Sequence, residues 1–283
     1  MARILVSGGA GFIGGAMAEA LAKDPENEVI VFDNLLTGAL CKLPRSENKN
    51  VHFIQGDVNH FEDIAKVFQA WDFEYVFHYA ALVGVLRTLQ SPIKVLEDID
   101  GIRNILELSK IGNVKRVFYS SSSEVYGEPF EIPQNEQTTP LNSRLPYAIV
   151  KNVGEAYLRS FHQEHDLNYT IFRFFNTYGP KQSDDFVMTK FIKAALRGED
   201  ITIYGDGAQT RTFCHIKDNV AACKRIFEEN LHLNDTVNIG SDKEIPIIDL
   251  AKKILEISQG SGKIVHLPAL SEGDMTRRCP DNS

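Results

Sequence analysis

The chain has 283 residues, enough for one large domain or two smaller ones around a sizeable core, which excludes a mini-protein stapled by metal or disulfides. With 43% hydrophobic and 24% charged residues, 20 Gly and 11 Pro, the composition is that of a folded globular enzyme and not of a disordered or fibrous chain. Thirty basic against 38 acidic side chains leave a formal charge of −8, so no molecule-wide field collects nucleic acid or an anionic membrane, and an anionic substrate needs local cations.

In chain order, β-rich runs at 3–7, 29–33, 51–55, 75–78, 116–120 and 169–174 read as strands. Between them, 12–23, 61–70, 92–110 and 146–165 repeat apolar residues at three and four and read as helices. That alternation predicts an α/β doubly wound parallel sheet of Rossmann type. After about Asn176 the pattern loosens into helix 187–197, a turn at Gly205 and Gly207, helix 217–229, a strand at 237–239 and helix 246–258, read as a smaller C-terminal substrate-binding lobe. The expected division is a Rossmann domain at 1–175 and a lobe at 176–283, with 212–240 partly returning to the core.

Ile4 to Val6 is too short for a secretory leader, and no run of about 18 apolar residues occurs, so the expected location is cytoplasmic and off the membrane. Cys41, Cys214, Cys223 and Cys279 form no Cys-x-x-Cys pair, which fits a reducing compartment without a metal site. His162 and His165 share a helix face without a third ligand and read as exposed residues.

Gly8, Gly9, Gly11 and Gly14 stand between the first strand and the first helix, and Gly9-x-Gly11-x-x-Gly14 is the dinucleotide fingerprint in its required context. Without Cβ atoms the turn is tight, and a pyrophosphate can approach the N–H groups at the helix start. Asp33 ends the second strand, where a carboxylate accepts both ribose hydroxyls and repels a 2′-phosphate, favouring NAD over NADP. Asp57, after the third strand, fits either an adenine-facing acid or a turn residue.

Of nine tyrosines only Tyr147 has a lysine four residues on, Lys151. On a helix the two share a face, so the ammonium can sit near the phenol and lower its pKa from about 10 towards that of a general base. The run Ser120-Ser121-Ser122-Ser123-Glu124-Val125-Tyr126-Gly127 follows the fifth strand, at the sheet's ligand-binding end.

These motifs, with His78-Tyr79-Ala80-Ala81, Phe175-Asn176-Thr177-Tyr178-Gly179-Pro180 and Tyr204-Gly205-Asp206-Gly207 through Gln209-Thr210-Arg211, span nearly the whole chain. The chain resembles the extended short-chain dehydrogenase/reductase family, in its nucleotide-sugar epimerase, dehydratase and decarboxylase branch. The resemblance implies that Phe12, Ile13, Asn34, Val58 and Ala80 join Gly8, Gly11, Gly14, Asp33 and Asp57 around NAD. It implies that Tyr147 removes the 4-hydroxyl proton of a sugar as hydride passes to NAD⁺, that Lys151 holds the cofactor, and that Ser122 hydrogen-bonds the 4-oxygen. Asn176 and Arg211 match positions at the nucleotide diphosphate, Arg278 a basic position at the sugar end, and Ser123 and Tyr204 further substrate contacts. Helices 92–110 and 146–165 match those that pair into a four-helix bundle in homodimers. Relatives continue for a helix or two beyond Ser283, so a truncated lobe is expected.

The resemblance also bears on the second step. Dehydratases carry Asp-Glu where this chain has Ser123-Glu124, and a serine is a poor acid for a departing 6-hydroxyl. Ser123-Glu124-Val125-Tyr126-Gly127 looks most like UDP-glucuronate decarboxylases, in which a 4-keto group turns the C6 carboxylate into a β-keto acid that loses CO₂. Glu124 could then order a water or the C5 proton, and Arg278 meets the carboxylate region. The alternative is a UDP-sugar 4-epimerase; dehydratase, C4 oxidase and non-catalytic NAD-binding scaffold stand behind it.

Overall fold

The computed structural model describes residues 2–44, 49–128, 130–269 and 277–282. The first part of the chain runs through β1 (Ala2–Ser7), α1 (Phe12–Leu21), β2 (Asn27–Asp33), β3 (Val51–Gln55), α2 (Phe61–Ala70), β4 (Tyr75–His78), α3 (Val85–Gln90), α4 (Pro92–Ile111), β5 (Arg116–Ser122), α5 (Pro146–His165) and β6 (Tyr169–Phe174). The second adds β7 (Thr177–Tyr178), α6 (Val187–Arg197), β8 (Ile201–Tyr204), β9 (Thr210–Thr212), β10 (Cys214–His215), α7 (Ile216–Glu228), β11 (Asp235–Ile239), β12 (Glu244–Pro246), α8 (Ile247–Ser258) and β13 (Ile264–Leu267).

Seven strands form one parallel sheet in the order β11-β6-β5-β4-β1-β2-β3. The doubly wound α/β fold follows, and the winding reverses between β1 and β4, which opens a crevice at the carboxyl ends of those strands. Alternate strand residues face opposite layers. Leu5, Ile30, Val76, Val117 and Ile171 pack against α2, α4 and α5, while Ile4, Val6, Val31, Phe77, Phe118 and Phe172 pack against α1 and α7. Phe77 and Phe118 stack at 4.4 Å, each burial worth about 1.5–3 kcal/mol. A separate core of Phe191, Ile201, Ile203, Ile247, Leu250 and Ile254 holds α6 and α8 together beside the short β8–β13 ladder.

The serine run departs from the expected layout. β5 extends through Ser122, so Ser120, Ser121 and Ser122 are strand residues paired with β6, and the 3₁₀ turn at Ser123–Tyr126 begins after them. His162 is half-buried and not exposed: its ring packs edge-on against Tyr169 at 5.9 Å, because α5 lies flat on the sheet there. Among the described residues, no helix is long and apolar enough to cross a membrane.

Candidate active site

At the cofactor end, glycine is required by contact. Gly8 has φ +71°, and a Cβ there would lie 2.5 Å from the Ala80 nitrogen; a Cβ on Gly14 would lie 2.3 Å from the Gly8 oxygen. The first turn of α1 has Gly11 as N-cap, with no side-chain cap and no acidic residue, so its N–H groups stay free of carboxylates. Asp33 is buried with its carboxylate accepting from Ala10 N at 3.0 Å and Leu35 N at 2.8 Å, and burial raises its pKa above the ordinary carboxylate value. Asp57 accepts from Asn34 Nδ2 at 2.8 Å and from Asn59 N at 2.9 Å, so it shapes a turn while lining the same cavity.

At the chemical end, the helical spacing of Tyr147 and Lys151 brings both into that cavity, with Ser122, Ser123 and Glu124 from the carboxyl end of β5. Glu124 forms an ion pair with Arg278 at 2.7 Å, and its backbone N–H donates to Ser122 Oγ at 3.2 Å. The electrostatics differ from the sequence expectation. Burial and the Glu124 carboxylate push the Tyr147 phenol well above its ordinary value, against hydrogen bonding with Ser122 and the charge of Arg278. Lys151 stands on the same helix face with its charge engaged elsewhere. Its ammonium donates to Ser120 O at 2.6 Å and lies 4.9 Å from the Tyr119 ring centroid and 5.8 Å from that of Tyr147, over the ring faces. Burial lowers the Lys151 pKa to about 8, opposed by the carboxylate of Asp98.

The cavity, of about 300 Å³, brings together Gly8, Gly11, Phe12, Ile13, Gly14, Asp33, Asn34, Asp57, Val58, Ala80, Ser122, Ser123, Glu124, Tyr147, Lys151, Asn176 and Arg278. Arg211 and Tyr204 are not in its lining. Arg211 is buried on β9, donating to Thr210 O, and Tyr204 ends β8 beside β13. Sequence reasoning missed Arg87, which lines the cavity and pairs with Asp185 at 2.8 Å, and Asp98, a half-buried carboxyl that accepts from Leu82 N at 2.7 Å. Neither lies in a recognisable motif; Asp98 is visible only as an acid on the inner face of α4. A dinucleotide fits these groups: a Cβ-free cradle, uncapped N–H groups at α1, and a carboxylate at the end of β2.

Residues 4–240 match the NAD dependent epimerase/dehydratase family. The chain is 36% identical over 274 residues to a UDP-N-acetyl-alpha-D-glucosaminuronate decarboxylase of Bacillus cytotoxicus, covering 94% of this chain and 83% of that one. It is 33% identical to UDP-glucuronic acid decarboxylase 6 of Arabidopsis thaliana, covering 99% and 81%. Its structure resembles that of a Thermotoga maritima UDP-glucose 4-epimerase with UDP-glucose, with a TM-score of 0.91 at 33% identity, covering 99% and 89%. The chain belongs to the NAD-dependent epimerase/dehydratase family. It is an enzyme, and its cofactor is NAD.

Proposed function

We propose that this enzyme decarboxylates UDP-glucuronate through a 4-keto sugar. The observation that carries the reading is the Arg278–Glu124 pair beside Ser122 and Tyr147, since a guanidinium at the sugar end suits a substrate with its own carboxylate. Two relatives named as uronate decarboxylases, aligned over most of the chain, support it. Bound NAD supplies the two-electron acceptor and donor at C4. Tyr147 takes the 4-hydroxyl proton as its phenolate, a form that its buried setting makes scarce but strongly basic, and Ser122 Oγ holds that oxygen. The C4 ketone makes the C6 carboxylate a β-keto acid. The C5–C6 bond then breaks, CO₂ leaves, and the electron pair passes into the C4 carbonyl as an enolate stabilised by Tyr147 and Ser122. Glu124 orders the proton that returns to C5, Arg278 faces the departing carboxylate, and Lys151 holds the cofactor. Incubation with UDP-glucuronate and NAD⁺ tests this: CO₂ and a UDP-pentose product are expected, and their absence removes the reading.

The second reading is 4-epimerisation of a UDP-sugar, favoured by the close match to the Thermotoga maritima structure. It gives an isomer of unchanged mass in the same assay.

The working division is a dinucleotide-binding part at 1–175 and a nucleotide-sugar lobe at 176–283; Asn176 of the lobe meets the diphosphate and Ser123 of the first part the sugar, both from the cavity lining. A homodimer through a four-helix bundle is supported by Ile93 and Leu96 on α4 and Ile149 on α5, which expose apolar surface. A cytoplasmic location fits the buried free thiols Cys214, Cys223 and Cys279.

A further inference from the structure

We infer that the buried pair Glu155–Arg173 is a positioning device, which fixes the strand carrying Ser122 relative to the segment carrying Arg278. Glu155 follows Lys151 by one turn on α5, and Arg173 lies on β6 beside Ser121 of β5. Arg173 Nε and Nη2 donate to Glu155 Oε1 and Oε2 at 2.9 and 2.7 Å, and both side chains are almost wholly buried. Ser121 Oγ donates to Glu155 Oε1 at 2.7 Å, and Arg159 Nη2 to Oε2 at 2.9 Å.

From Arg173 the connection continues outwards. Its Nη1 donates to the Tyr126 hydroxyl at 2.8 Å, which donates to Asn238 Oδ1 at 2.8 Å. Asn238 Nδ2 donates to Gln134 O at 2.8 Å. The Gln134 backbone grips the residues after Arg278 on both sides, donating to Cys279 O at 2.7 Å and accepting from Asp281 N at 2.8 Å. An unbroken series of hydrogen bonds therefore joins the neighbour of Ser122 to the neighbour of Arg278, and Tyr126 itself closes the turn that carries Glu124.

β5 and β6 are already zipped by a parallel ladder and covered by apolar residues, so cohesion does not require a charge pair here. A buried ion pair seldom adds net stability over apolar packing, whereas its directional bonds accept one geometry. Ser122, Glu124, Lys151 and Arg278 come from three separate stretches of chain, and this network is where those stretches are bonded together. Glu155, Arg173 and Tyr126 touch neither cofactor nor substrate in this account; they act through the groups they hold.

The turnover part of this inference rests on the proposed use of Ser122 and Arg278, and the exchange part does not. Tyr126→Phe deletes one hydroxyl and two links. Hydrogen exchange of the peptide covering 277–282 is expected to accelerate about tenfold in this variant, with the NAD dissociation constant unchanged. In the wild-type assay with UDP-glucuronate, kcat should fall about 10- to 100-fold, with a smaller change in KM. Glu155→Gln cuts the same path, so the double variant should lose little more than the worse single one. Unaltered exchange in 277–282 overturns the inference whether or not the wild type turns over UDP-glucuronate. Fully multiplicative losses in the double variant, or a fall in melting temperature with kcat intact, overturn it as well. If Tyr126→Phe does not fold, Asn238→Ala breaks the next link and is read in the same way.

Discussion

Arg278 and Glu124 meet at 2.7 Å, although 154 positions apart in the sequence, and the contact sets a residue of the 277–282 segment against the turn that follows β5. Both side chains are largely buried, so each charge depends on the other. Arg278→Met is expected to lower turnover by about 10²–10³, as for loss of a donor that meets developing charge. Arg278→Lys keeps the charge without the planar fork and should recover only part of that loss. NAD binding, measured by calorimetry, should be the same in all three proteins. Equal turnover in Met and wild type contradicts the assignment.

His78 predicts an acid weakness. Its ring is buried with Nδ1 2.7 Å from Ser7 Oγ, and burial together with the Lys151 charge lowers its pKa from 6.5 to about 3. The unfolded chain takes up a proton below pH 6.5, while the folded one does not until about pH 3. Stability from this residue is therefore whole above pH 6.5 and is lost as pH falls towards 3, by about 4–5 kcal/mol at most. Urea unfolding of His78→Asn should show a flatter decline between pH 6.5 and 4 than the wild type. Parallel declines would exclude the effect.

Lys151 predicts a slope of the same sign in alkali. Its folded pKa of about 8 lies below the ordinary 10.5, so between those values the unfolded chain holds a proton that the folded chain has released. Its charge costs stability below pH 8, and that cost, about 3 kcal/mol, is relieved as pH rises from 8 towards 10.5. Above pH 10 the raised phenols of Tyr147 and Tyr119 act against it. The stability of the wild type relative to Lys151→Met should climb between pH 8 and 10. Lys151→Met should be more stable than the wild type at pH 7 yet inactive, because function keeps a buried cation there. A pH-independent difference contradicts this.

Gly154 and Tyr119 form a paired prediction. A Cβ on Gly154 would lie 2.3 Å from the Tyr119 hydroxyl, and that hydroxyl is buried with no hydrogen-bond partner among the described residues. Gly154→Ala should cost about 1–3 kcal/mol by overpacking, and Tyr119→Phe should be close to neutral alone. Because the ring carbons Cζ and Cε1 stay 2.5 and 2.9 Å from that Cβ, Tyr119→Phe should recover little of the loss, which a thermal double-mutant cycle would show as near-additive effects. Recovery of most of the loss would place the strain on the hydroxyl alone.

The long alternating elements were legible because period and burial agree: 61–70, 75–78, 146–165 and 169–174 have the expected bounds, and the fold class followed from them. β7, β9, β10 and β12 were not, since two or three residues carry no period and pair only after the chain has folded. β5 was read two residues short because serines resemble a loop when judged by polarity, although a ligand-facing strand end is where buried hydroxyls belong. Most motif residues converged on one cavity, Tyr204 and Arg211 apart, but the state of Tyr147 was not legible. Spacing places Lys151 on the same helix face and says nothing of the Ser120 carbonyl that captures its ammonium. Asp98 and Arg87 reach the site through tertiary contacts with Leu82 and Asp185, which no local pattern announces.

The most direct test is mass spectrometry of the nucleotide products after purified enzyme is incubated with UDP-glucuronate and NAD⁺. The account predicts a UDP-pentose or its 4-keto precursor, with one CO₂ released per turnover, and loss of that product in Tyr147→Phe while NAD remains bound. A product of unchanged mass, or turnover at the wild-type rate without the Tyr147 phenol, would contradict it.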